Sequence, residues 1–144
     1  MSVPLQFIVI DTNVLASAAI LPNSATAQIF SFALEHYVLA QNNATWLELA
    51  TRLYEPKFDP YFIPATKRIE FLNVIARVSQ FFDVSSEIKA CRDSDDDKFI
   101  GLALDAGAKI IISGDKDLTS LGAFQDIEIL TPAQFSLSLT SSSK

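Results

Sequence analysis

Two short apolar segments, each followed by an aspartate, limit the fold of this chain more than any other feature. Phe7–Ile10 runs directly into Asp11, and Ile110–Ile112 is followed three residues later by Asp115. Strands without polar residues are typical of parallel sheets, because helices cover both of their faces. The two segments therefore predict central strands of a parallel α/β sheet.

Helix-like and strand-like segments alternate through the rest of the chain. Helices are predicted at residues 14–20, 25–35 and 43–54, from Pro64 to about residue 81, from the acidic segment near residue 97 to Gly107, and from Pro132 onward. Further strands are predicted at residues 37–40, 83–85 and 128–130. This alternation favours one α/β domain over residues 1–139, followed by a polar tail at 140–144.

The composition limits where in the cell the protein is expected, whether it spans a membrane and which kind of metal site it can have. Residues 12–34 carry no charge and are long enough to span a membrane, but Pro22 and Asn23 interrupt them. We therefore expect two buried helices and no membrane span. A single cysteine, Cys91, forms no internal disulfide and favours a cytoplasmic location. With only one histidine as well, zinc sites built from soft ligands are excluded, and oxygen ligands remain.

Asp11 and Asp115 both lie where a parallel sheet binds its ligands. In open α/β sheets, ligands bind beyond the carboxyl ends of the strands. An aspartate at such a place also commonly caps the next helix, and for Asp11 alone that explanation is as good as a functional one. Two strand-end acids together favour a functional site.

A third group of acids lies in the segment 93–97, which contains four aspartates. One could cap a helix and others could stabilise its dipole, each by about 0.3–1 kcal/mol. A calcium loop of the EF-hand type is excluded, because Lys98 stands where glycine is required and Leu104 where the bidentate glutamate belongs. The segment therefore has more carboxylates than a helix start uses.

Glu48 is the fourth candidate. Its spacing alone favours a solvated ion pair with Arg52, four residues later, worth a few tenths of a kcal/mol. Its neighbours Trp46, Leu47 and Leu49 nevertheless embed it in an apolar stretch. Both interpretations stay open at this point.

Convergence of these acids would require a cation. Two carboxylates about 4 Å apart repel by roughly 4 kcal/mol at an effective dielectric constant of about 20. Mg²⁺ or Mn²⁺ would remove that cost, activate water and clamp a phosphodiester. The net charge of the chain is −6, so it does not bind nucleic acid through a generally basic surface. The ion would supply positive charge that the chain lacks.

Several short motifs together resemble the PIN-domain family, most closely its branch of toxin components related to VapC. They are VIDTNVL at 9–15, LEL at 47–49 with PKF at 56–58, CRDSDDDKF at 91–99, SGDKDL at 113–118 and ILTPA at 129–133. They follow one another in the family's order over nearly the whole chain. The resemblance implies a three-layer α/β/α sandwich with a mainly parallel sheet and an endoribonuclease dependent on Mg²⁺ or Mn²⁺.

The resemblance also assigns roles to individual residues. Catalysis and metal binding fall to Asp11, Glu48, Asp96 and Asp115, with Asp96 chosen by its distance from Gly107 and Asp97 as the second choice. Auxiliary roles are implied for Asp97, Asp117, Thr12 and Asn13. Asp117 could instead start the next helical turn, and capping explains Thr12 and Asn13 equally well. Candidates for guiding the RNA backbone are the basic residues Arg52, Lys57, Lys67, Arg68 and Lys116, for each of which solvated surface charge is the alternative.

The partners implied by the family are an RNA substrate, a cognate antitoxin and a second copy of the chain in a homodimer. Two alternatives stay open: a PIN nuclease of RNA processing that is not a toxin, and a binding module whose acidic pocket does not cut. A phosphotransferase of the haloacid-dehalogenase type is disfavoured because Asn13 stands where its second aspartate is needed. A receiver domain would require its acids in the reverse order.

Overall fold

The computed structural model, which describes residues 5–88, 91 and 94–142, is built around one six-stranded sheet. Its strands are β1 (Phe7–Ile10), β2 (Val38–Gln41), β3 (Ser79–Phe81), β4 (Ile110–Ile112), β5 (Ala123–Phe124) and β6 (Ile127–Leu130). Their order across the sheet is β3-β2-β1-β4-β6-β5. All pairs are parallel except β5 with β6. β1 and β4 are neighbours at the centre, so their carboxyl ends open at the same edge.

Helices connect and cover these strands. They are α1 (Thr12–Ile20), α2 (Ala25–His36), α3 (Asn43–Leu53), α4 (Thr66–Val78), α5 (Asp97–Ala106), α6 (Lys116–Thr119) and α7 (Pro132–Ser142). Two 3-10 helices, Pro56–Tyr61 and Ser94–Asp96, precede α4 and α5. The helix α5 ends at Gly107, whose φ of 71° is the left-handed conformation that glycine adopts readily.

Alternate residues of the central strands pack into two separate cores. Ile8 and Ile10 belong to a cluster with α1, α2 and α3, whereas Val9 packs with α5. In β4, Ile112 joins the first cluster and Ile111 the second. Both faces of the sheet are therefore covered, which explains the uninterrupted apolar runs. The predicted three-layer α/β/α sandwich with a mainly parallel sheet is confirmed.

The prediction of a strand at residues 83–85 is wrong. The helix α4 ends at Val78, β3 follows at once as Ser79–Phe81, and residues 82–88 form neither helix nor strand. β3 lies at the edge of the sheet and is largely exposed, so its sequence lacks an apolar run. The start of α4 was also predicted too early, because the helix begins at Thr66 and not at Pro64. The short elements β5 and α6 were not predicted.

Residues 12–34 form α1 and α2, separated by a turn, as predicted. Among the described residues, no helix is both long enough and apolar enough to cross a membrane. The terminal helix α7 reaches Ser142, so part of the predicted polar tail is helical. Residues 1–4, 89–90, 92–93 and 143–144, which include Asp93 of the acid-rich segment and the end of the predicted tail, lie outside the described residues.

Candidate active site

Asp11 lies at the carboxyl end of β1 and is only 4% exposed. One carboxylate oxygen, Oδ1, accepts a hydrogen bond of 2.9 Å from the backbone N–H of Val14 and so caps α1. The other oxygen, Oδ2, accepts a hydrogen bond from the Ser113 hydroxyl. Asp11 is therefore a helix cap and also part of an acidic group, so the two explanations that the sequence left open are compatible.

Ser113 connects the two strand-end acids. Its fully buried hydroxyl donates to Asp11 and accepts a hydrogen bond of 2.9 Å from the backbone N–H of Asp115. The Asp115 carboxylate in turn accepts from the N–H of Asp117 at 2.8 Å and caps α6. A role for Ser113 was not predicted from the sequence. Its position between a buried strand and the acid that follows the strand is the signal that could have indicated one.

The electrostatics of Asp11 favour a bound cation or a proton. Burial raises the pKa of the Asp11 carboxyl above its ordinary value of 3.8. Hydrogen bonds from Ser113 and from the backbone of Val14 and Gly114 oppose this shift, and the charge of Asp115 adds to it. A divalent cation would stabilise the ionised form in the same place.

Glu48 projects from α3 toward this group. Its Oε1 accepts a hydrogen bond from the Thr12 hydroxyl, and its Oε2 forms an ion pair with the Lys98 ammonium. Lys98, on α5, also donates to the backbone carbonyl of Asp95 at 2.9 Å. Lys98 was not among the predicted site residues, because nothing in its local sequence indicates an ion pair with a residue fifty positions away.

Arg52 has other partners than the one its spacing suggested. Its guanidinium donates to the Asn13 side-chain oxygen at 2.6 Å and forms an ion pair with Glu55 at 2.8 Å. The Glu48 carboxylate is thus held by tertiary contacts, and the i,i+4 pair expected as one alternative is not what orients it. Arg52 and Asn13 instead form the rim of the site.

One cavity of about 150 Å³, termed here the acidic cavity, brings the predicted acids together. It is lined by Asp11, Thr12, Asn13, Glu48, Arg52, Asp95, Asp96, Phe99 and Asp115. Four sequence-predicted acids, from β1, α3, the turn before α5 and the end of β4, therefore face the same space.

Three of the acids approach closely enough to share a metal ion. One carboxylate oxygen from each of Asp96, Asp115 and Asp117 lies within 4.8 Å of the other two. Oxygens on opposite sides of an octahedral Mg²⁺ lie about 4.2 Å apart, so this set fits a small hard cation after slight contraction. Asp117, predicted as auxiliary, is thus close enough to Asp96 and Asp115 to share an ion with them.

Asp97, the second choice for the third acid, points elsewhere. Its carboxylate accepts a hydrogen bond of 2.7 Å from the backbone N–H of Cys91. Burial, with help from Asp97, raises the pKa of the Cys91 thiol to about 12, so this cysteine stays protonated at neutral pH. Asp96, which is 8% exposed and lines the acidic cavity, is the better candidate.

The remaining basic candidates differ in exposure. Lys57, Lys67 and Lys116 are exposed, and Lys57 lies 3.6 Å from Glu55. Arg68 is buried and forms an ion pair of 2.7 Å with Asp59. Its burial fits neither of the two predicted roles, a solvated surface charge or a contact to the RNA backbone.

Together, the fold and the site define a class of protein. It is a PIN-like α/β/α protein with a carboxylate site at the ends of β1 and β4. A family model described as PIN domain matches residues 7–117, and the chain belongs to the PIN-domain family. It is 36% identical, over 115 residues, to an uncharacterized protein of Methanocaldococcus jannaschii, MJ1680; the match covers 79% of this chain and 74% of the relative.

The fold is also similar to a solved structure, FitAcB from Neisseria gonorrhoeae. The TM-score is 0.57, the sequence identity is 20%, and the match covers 88% of this chain and 98% of the other. At this identity the likeness concerns the fold alone. The resemblance to PIN domains seen in the sequence motifs is confirmed.

Proposed function

We propose that this protein is an endoribonuclease dependent on Mg²⁺ or Mn²⁺ that hydrolyses phosphodiester bonds in single-stranded or structured RNA. The observation that carries the proposal is the convergence of Asp11, Glu48, Asp96 and Asp115 on one acidic cavity in a PIN fold. PIN domains are generally metal-dependent nucleases, and the oxygen-only donor set suits a hard cation.

The residues of the chain have distinct proposed roles. Asp11, Asp96 and Asp115 would hold one or two ions, and Glu48 would bind directly or through water. Ser113 fixes the Asp11 carboxylate and Thr12 that of Glu48, whose second oxygen pairs with Lys98. When bound, the ion would lower the pKa of a water and neutralise charge on the phosphodiester. In-line attack of a water oxygen on phosphorus would break the P–O3′ bond, and with a proton passing to O3′ the products would be a 3′-hydroxyl and a 5′-phosphate.

We further propose a toxin role, with a cognate antitoxin as partner, a homodimeric state and a cytoplasmic location. The similarity of five motifs to the toxin branch of the family supports this, and the single cysteine supports the location. Exposed Lys57 and Lys116, and Arg52 at the cavity rim, are the proposed contacts to the RNA backbone. Growth arrest on expression, relieved by a small protein encoded beside the gene, would test the toxin role.

Cleavage by purified variants tests the nuclease proposal. Wild-type protein, Asp11→Asn and Asp96→Asn are incubated with single-stranded RNA and Mn²⁺, with Asp126→Asn as the matched control. Asp126 forms an exposed ion pair with Lys109 and is not among the residues that line the acidic cavity. At an Mn²⁺ concentration just sufficient for the wild type, we expect cleavage by the wild type and the control only. Equal activity in all four preparations would mean a contaminating nuclease and would refute the assignment.

One observation favours the alternative of a binding module that does not cut. Both carboxylate oxygens of Glu48 already have partners on the protein, Thr12 and Lys98. In that case RNA would bind to the wild type in the presence of Mn²⁺ without being cleaved. The same assay, with RNA retention measured beside product formation, distinguishes the two functions.

A further inference from the structure

A second cavity, termed here the side cavity, adjoins the acidic cavity. Its volume is about 340 Å³, and it shares Asn13 and Asp115 with the acidic cavity. The other residues that line it come from α1, the first turn of α2, the loop after β4 and the start of α7. Apart from the shared Asn13 and Asp115, no described residue of its lining has a predicted catalytic role.

The described residues that line the side cavity are neutral apart from the shared aspartate. Ser17 and Thr26 contribute half-buried hydroxyls, and Asn13 contributes an amide. In the described part of the chain, neither hydroxyl hydrogen-bonds to another residue. Val14 and Pro132 contribute apolar surface. A space of this size, with some apolar surface and a few neutral polar groups, could hold a small organic ring.

We infer that the side cavity binds the nucleobase of a nucleotide next to the scissile phosphate, with Ser17 and Thr26 reading its edge. This inference rests on the proposed nuclease function, since the shared residues Asn13 and Asp115 place the cavity beside the acids. A phosphate would not suit it, because the described residues of its lining include no basic side chain and carry one negative charge, that of Asp115. Unpaired bases, in contrast, are recognised by stacking of aromatic or apolar side chains on their faces and by hydrogen bonds to their edges.

The geometry of α1 couples base binding to the catalytic group. Asn13 and Ser17 are four residues apart and so lie on one face of the helix that Asp11 caps. A base held against that face would fix the position of its own phosphate relative to Asp11 and Asp115. The cavity would therefore determine which nucleotide flanks the cut, while the basic residues bind the backbone without regard to sequence.

Cleavage of RNAs that differ at a single base tests the inference. After the cut site in one single-stranded RNA is mapped, each flanking nucleotide is replaced by the other bases and by an abasic residue. For the wild type we expect kcat/KM to fall about tenfold or more when one of these positions is abasic. Ser17→Leu, which places a bulky apolar group in the cavity, should reduce kcat/KM on the intact RNA to the abasic level and leave abasic cleavage unchanged.

Thr26→Val removes one hydroxyl and keeps the side-chain shape. It should lower kcat/KM about 3- to 10-fold for the preferred base, as expected for the loss of one hydrogen bond between neutral groups. The matched control is Thr66→Val, because Thr66 is exposed at the start of α4 and lines neither cavity. If wild type and Ser17→Leu discriminate bases equally, or if the wild type cleaves abasic RNA at full rate, the inference is wrong although the nuclease assignment stands.

A binding experiment keeps the inference testable if no cleavage occurs. RNA carrying 4-thiouridine is irradiated with the wild-type protein in Mg²⁺, and the crosslinked peptides are identified by mass spectrometry. Crosslinks to the peptides that contain Ser17, Thr26 or Pro132 would support the base site. Crosslinks confined to other surfaces, or none, would overturn it, and a protein partner would then be the remaining occupant of the cavity.

Discussion

The hydroxyl group of Ser113 donates a hydrogen bond to the carboxylate of Asp11, across the junction of β1 and β4. The same hydroxyl accepts from the backbone N–H of Asp115. One buried side chain thus connects the carboxylate of Asp11 to the backbone of Asp115, two residues that follow neighbouring strands.

We predict that Ser113→Ala weakens metal-dependent cleavage by about 10- to 100-fold, the usual effect of removing a group that orients a metal ligand. Asp11 would lose a hydrogen bond that lowers the pKa of its carboxyl, so the pKa would rise further. The measurement is kcat/KM at saturating Mn²⁺ over a range of pH. An unchanged rate and pH profile would show that the Ser113 hydroxyl does not position Asp11.

Asp11→Asn is expected to increase the stability of the metal-free protein at neutral pH. Burial raises the pKa of Asp11 in the folded state above its ordinary value of 3.8, so the ionised carboxylate opposes folding. The stability contributed by the protonated Asp11 carboxyl is fully present below the unfolded pKa and is lost as the pH rises through the folded pKa. In urea unfolding with EDTA, the free energy of unfolding should therefore be higher for Asp11→Asn than for the wild type at pH 7. The difference should be smaller below about pH 4. A less stable variant at pH 7 would contradict this account.

Lys98→Met should lower the Mn²⁺ concentration needed for half-maximal cleavage, by about 3- to 10-fold. The Lys98 ammonium forms an ion pair with Glu48 and so competes with a metal ion for that carboxylate. Lys109→Met, which removes an exposed lysine paired with Asp126, is the matched control. A higher Mn²⁺ requirement in Lys98→Met would mean that the ammonium assists metal binding.

Arg68→Met should destabilise the fold by about 1–3 kcal/mol and leave cleavage by the folded protein unchanged. The buried Arg68 guanidinium lies 4.8 Å from the ring centres of both Tyr54 and Phe62 and pairs with Asp59. Its role is therefore in packing. Lys67→Met, at the exposed neighbouring position, should affect the free energy of unfolding by less than about 0.5 kcal/mol. A loss of RNA binding without a loss of stability in Arg68→Met would refute this role.

The acids that follow strands could be located from the sequence, because a buried parallel strand fixes the direction of its carboxyl end. Asp11 and Asp115 were found in this way, and Asp96 by resemblance to the family. Local spacing could not place Glu48, whose partners Thr12 and Lys98 come from two other helices. The exposed edge strand β3 has no apolar period that would reveal it.

The Mn²⁺ dependence of RNA cleavage tests the central claim most directly. Protein stripped with EDTA is titrated with Mn²⁺, and the half-maximal concentration is compared for wild type, Asp96→Asn and Asp126→Asn. We predict no cleavage without the ion, recovery in wild type and control at the same concentration, and a requirement at least about tenfold higher for Asp96→Asn. Cleavage that persists without divalent ions, or the same Mn²⁺ requirement in all three proteins, would contradict the account.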